Sequence, residues 1–99
     1  MSRPLIKYKW SISVPDMAQR MLRQWTGEAN AWDARNAVEV VLAIDDASEL
    51  FTLIGIDPKQ IIANTNPNTP NVLFMHLDEE SGQMATIGIT QVEEVVECQ

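Results

Sequence analysis

From Ile6 to Val14 apolar and polar side chains alternate one for one, with Ile6, Tyr8, Trp10, Ile12 and Val14 separated by Lys7, Lys9, Ser11 and Ser13. Successive side chains of an extended chain point to opposite faces, so this alternation predicts a strand over 5–14 with one face buried. The period then changes. Met17, Met21, Leu22 and Trp25 recur at helical spacing behind Pro15-Asp16, and Gly27 offers a left-handed terminus. The spacing predicts a helix between Asp16 and Gly27, with Gln19, Arg20, Arg23 and Gln24 on its solvated side.

Ala34, Ala37, Val40, Val41 and Ile44 fall on one helical stripe, which predicts a second helix over 31–44. Val38 and Leu42 lie outside the stripe, so this helix is expected to be covered on two sides. Asp45-Asp46 marks a new start, and a third helix over 47–54 closes at Gly55. Asp57-Pro58 is the grammar of a capped helix start with proline in the first turn, and it predicts a short helical turn through Ala63. Asn64 to Asn71 is rich in Asn, Thr and Pro, the chemistry of an exposed loop, and is the best candidate for a functional loop by composition.

The last third reads as a hairpin. A three-residue loop, Glu80-Ser81-Gly82, pairs Leu77 with Ala85, Met75 with Ile87 and Leu73 with Ile89, gathering these six apolar residues on one face. Phe74 then falls opposite Gly88 and His76 opposite Thr86, on the other face. Thr90-Gln91-Val92-Glu93 resembles a capping box, which slightly favours a C-terminal helix over another strand. The expected fold class is α+β: a short antiparallel sheet, made of the N-terminal strand and the C-terminal hairpin, packed on about three central helices in one domain over 1–99.

Composition narrows the function. The 99 residues carry 7 Lys+Arg against 14 Asp+Glu, a net charge of −7, and a single cysteine. This excludes an internal disulfide scaffold and disfavours an electrostatic grip on nucleic acid or an anionic membrane. No apolar run is long enough to span a bilayer and no export signal is evident, so a cytoplasmic setting is expected. The charge is uneven. Residues 1–35 hold six basic and three acidic residues, whereas 36–99 hold Lys59 against eleven acids.

Four constellations bear on chemistry, and none is a complete motif. Residues 47–63 have the order helix, Gly-containing turn, helix of a DNA-reading unit, but Phe51 stands where a small residue is wanted and Lys59 is the lone cation. His76 near Asp78 has the form of a general base oriented by a carboxylate, without a nucleophile at a matching spacing. Cys98 sits among Glu93, Glu94 and Glu97, which disfavour its thiolate. The acidic groups Asp45-Asp46-Glu49, Asp78-Glu79-Glu80 and Glu93-Glu94-Glu97 lack the spacing of a calcium loop. They also suit mimicry of a phosphate backbone.

The resulting expectation is a non-enzymatic binding module, an adaptor, inhibitor or assembly factor acting through protein contacts, without cofactor or metal. Its surface is expected to join Val72, Phe74, His76 and Thr86 with Asp78, Glu79 and Glu80. The expected partners are another protein, with a basic surface, and a second copy of the chain meeting the Val72/Phe74 face; nucleic acid and membrane are not expected. Helix-turn-helix DNA binding through 47–63 is the alternative, and a small enzyme comes third.

Overall fold

The computed structural model describes residues 5–92. Two strands, β1 (Ile6–Asp16) and β2 (Met21–Ala31), are followed by three helices, α1 (Ala34–Val41), α2 (Asp45–Leu53) and α3 (Pro58–Asn64). Two further strands, β3 (Asn71–Asp78) and β4 (Gln83–Gln91), complete the described chain. The strands form one antiparallel sheet in the order β2-β1-β4-β3. The helices pack on one face of it, giving the expected α+β architecture with one strand more than the sequence pattern suggested.

The extra strand corrects the first helix. Asp16 accepts the Gln19 N–H through Oδ1 at 3.2 Å, the contact an N-cap makes. Helical propagation stops at Arg20, whose φ of 55° reverses the chain into a hairpin. The chain then runs back along β1, pairing Ile12 with Trp25 and Tyr8 with Ala29. The alternation of β2 is hidden because its helix-facing side mixes Met21, Arg23, Trp25, Gly27 and Ala29. Arg23 is accommodated by Asp16 Oδ2 at 3.3 Å and by the Trp25 ring, 5.1 Å from its guanidinium carbon. Gly27 is not a helix terminus. It lies opposite Trp10, and a Cβ there would come within 2.9 Å of the indole.

The hairpin register also differs from expectation, by one residue. Asp78 pairs with Gln83 across a four-residue turn, because the Asp78 carboxylate accepts from Ser81 N–H at 3.2 Å and Ser81 Oγ–H at 2.7 Å. The Asp78 carbonyl also accepts the Gly82 N–H. One residue of slip turns β3 over. Phe74 therefore faces Ile87, Val72 faces Ile89 and His76 faces Ala85, while Leu73, Met75 and Leu77 lie opposite Gly88, Thr86 and Met84 on the far side.

The core lies between the sheet and the helices and is built from Tyr8, Ile12, Val14, Ala85, Ile87 and Ile89 against Ala37, Val38, Val41, Ala47, Phe51 and Ile61. On α1, Val38 and the following Leu42 are buried and Val40 is exposed, so the stripe is rotated from the one expected. Asp33 caps α1 by accepting the Asn36 N–H at 2.8 Å. Gly55 follows α2 at φ 88° and Asp57 caps α3 ahead of Pro58, as the sequence indicates, whereas Asp45 and Asp46 lie inside the first turn of α2 rather than ahead of it, behind Ile44 as N-cap. β4 continues through Gln91, so Thr90 and Gln91 are extended rather than the start of a helix. The remainder of that expected helix, Cys98 and the cluster Glu93-Glu94-Glu97 lie outside the described residues.

Candidate functional site

β3 is an edge strand, and the helical layer reaches it only in part. Between α3 and β3 runs a cleft of about 380 Å³. Its walls include Ile56, Gln60 and Asn64 on one side and Val72 and Phe74 on the other, with Thr65, Asn66 and Thr69 along its end. The Asn-rich loop singled out by composition is thus brought to this cleft. That loop is tightly held. Arg35 donates to the Thr65 carbonyl at 3.0 Å, the Pro67 carbonyl accepts the Ala34 N–H at 3.1 Å, and the Thr65 hydroxyl donates to the Ile61 carbonyl at 2.7 Å.

The sheet face away from the helices is divided. Its β1 and β2 portion carries Lys7, Lys9, Ser11 and Ser13 beside Gln24, Thr26, Glu28 and Asn30. Its β3 and β4 portion carries an apolar stripe, with Leu73 at 70%, Met75 at 58%, Leu77 at 52% and Met84 at 41% exposure. Isolated exposed leucines are ordinary, but four adjoining large apolar residues on one open sheet face are not. The turn Glu79-Glu80 closes one end of this stripe.

The outer edge of β3 has a defined polarity. Gln91 N–H donates to the Pro70 carbonyl at 2.8 Å, so even-numbered residues of the strand turn their backbone groups to β4 and odd-numbered ones turn outward. Asn71 confirms the parity. The Thr69 hydroxyl accepts the Asn71 N–H at 3.3 Å and donates to the Asn71 carbonyl at 2.8 Å, standing where a neighbouring strand would be. The outward-facing backbone of Leu73, Met75 and Leu77 follows, in a run from Asn71 to Leu77 without a formally charged residue at neutral pH.

The surface expected from the sequence is not assembled as drawn. Val72 and Phe74 are half-buried against the core and line the cleft, and His76 is exposed further along the same side of β3. Thr86 lies on the opposite face, beside Met75. Asp78 is committed to Ser81, and Glu79 and Glu80 are exposed in the turn. The large apolar residues that the structure exposes on this hairpin are Leu73, Met75, Leu77 and Met84. The sequence pattern places the first three in the core on the strength of their hydrophobicity, and the signal that redirects them is the Asp78–Ser81 turn. Among the described residues no group of three or more His, Cys, Asp and Glu is placed to hold a metal ion.

Elsewhere, the buried Tyr8 phenol has its pKa raised above the ordinary value, chiefly by loss of solvent and secondarily by the charge of Asp33. Compared with known protein families, curated proteins and solved structures, the chain matches none.

Proposed function

We propose that the protein is a non-enzymatic binding module acting through protein contacts, with the apolar stripe Leu73, Met75, Leu77 and Met84 as its docking surface. The observation that carries this reading is the joint exposure of these four side chains on an open sheet face beside an acidic turn. The stripe offers an apolar centre and Glu79 and Glu80 offer a charged rim, the arrangement that recognises a partner with an apolar anchor and basic surroundings.

The test is affinity capture from native extract with the wild-type protein and with Met84→Glu, each with and without nuclease. Met84 faces out from β4 and its replacement leaves the buried face intact. The expected result is recovery of a basic protein that resists nuclease and is lost with Met84→Glu. Recovery of nuclease-sensitive DNA instead would favour the helix-turn-helix reading of α2 and α3, in which Lys59 and Gln60 are exposed on the second helix.

A further inference from the structure

We infer that the outer edge of β3 pairs with the same edge of a second copy of the chain, antiparallel about a two-fold axis at Met75. Its hydrogen bonds lie on the edge of the sheet, while the side chains of Leu73, Met75 and Leu77 that it brings together also belong to the stripe of the docking reading above; Met84 belongs to that reading alone.

The first argument is hydrogen bonding. An edge strand presents unpaired N–H and C=O groups, and natural sheets blunt them with charge, proline, bulges or a covering element. β3 has none of these between Asn71 and Leu77. Thr69 satisfies the outward groups of Asn71, and the Asp78 turn ends the strand, so the free run consists of Leu73, Met75 and Leu77. A two-fold at Met75 pairs Met75 with itself and Leu73 with the partner's Leu77. Each of the three outward-facing residues then exchanges both backbone bonds with its opposite number, and none is left over.

The second argument is side-chain symmetry. An isologous contact requires a surface that reads the same in both directions. Leu73, Met75 and Leu77 form such a set, Leu-Met-Leu, and pairing brings six apolar side chains into one cross-strand row. Toward the cleft, Phe74 comes opposite the partner's His76.

The third argument is charge. Two chains of net charge −7 repel, so the contact must keep their acids apart. Antiparallel pairing centred on Met75 sends the two Glu79-Glu80 turns to opposite ends of the joint, about 27 Å from one another at ~3.4 Å per residue. That is well beyond the ~8–10 Å over which exposed charges interact at physiological salt. A parallel arrangement would set the two turns side by side.

The experiment is sedimentation of the full chain at about 100 µM, where weak pairing is populated by mass action, comparing wild type with Met75→Pro, Met75→Lys and Leu53→Lys. Met75 turns its N–H outward, so proline there removes no bond to β4 and blocks only the partner. Lysine places two like charges on the axis and serves where proline disturbs the strand. Leu53, exposed on α2, is the control. The expected outcome is twice the monomer mass for wild type and Leu53→Lys, and monomer mass for the position-75 variants with unchanged circular dichroism. A monomeric wild type, or a folded Met75→Lys that still forms dimers, overturns the inference. Loss of partner capture by Met84→Glu is read separately and does not depend on this result.

Discussion

Two glycines of the sheet separate a steric requirement from a tolerated gap. At Gly27 an added methyl would lie 2.9 Å from Trp10 Cζ2, whereas at Gly88 it would meet only Ser11 Oγ, at an ordinary 3.6 Å. Gly27→Ala is therefore expected to cost about 1–3 kcal/mol, because the indole must leave its position against the core. Gly88→Ala should be nearly neutral, and urea unfolding of the two variants side by side checks the contrast. Tyr8 makes a second prediction at this scale. Its folded-state pKa is raised, so the unfolded chain releases the phenolic proton first as pH climbs. The stability it contributes is complete below pH 10 and declines as pH rises through the folded value. Tyr8→Phe should remove that part of the alkaline decline. As Tyr8 is the chain's one tyrosine, tyrosinate absorbance follows the same event directly.

Among elements, the orientation of β3 decides which residues are core. With Asp78 paired to Gln83, Phe74→Asp places a carboxylate against Ile87 and should destabilise the fold by about 2–4 kcal/mol, while Leu73→Asp should remain within about 0.5 kcal/mol. Denaturant midpoints of dilute protein check this, and the opposite ranking would restore the three-residue turn. Much of this level was legible in the sequence: the alternation of β1, the three central helices with Asp57 and Gly55 at their ends, and the Asn-rich connector that reaches the cleft. β2 and the hairpin register were not. In β2, Arg23 and Gly27 occupy the helix-facing side for reasons supplied only across the sheet, by Asp16 and by Trp10. Asp16 makes the local contact of a helix start, and the reversal at Arg20 depends on a left-handed residue that is not glycine. In the hairpin, Leu73, Met75 and Leu77 outweigh Val72, Phe74 and His76 in hydrophobicity, so the pattern points the wrong face inward. The exposed apolar stripe was hidden by the same inversion.

For the molecule as a whole, β1 and β4 lie in the middle of the sheet, beneath the helices, and their amides should exchange most slowly with solvent. The amides of Val72, Phe74 and His76, turned toward β4, should follow them. Those of Leu73, Met75 and Leu77 should exchange quickly in dilute solution and gain protection as concentration rises, which residue-resolved hydrogen exchange measures. The two borders of the sheet are unlike. β2 carries Arg23 and Glu28 within its length, and β3 has no Lys, Arg, Asp or Glu from Asn71 to Leu77. A sheet with two adhesive borders would polymerise without limit, each added chain exposing another site for growth. Here a chain that joins by β3 leaves only β2 borders facing outward. On the pairing inferred above, assembly would consume its own growing points and terminate at a stoichiometry of two, which would let the protein keep a bare, apolar strand without becoming the seed of a fibre.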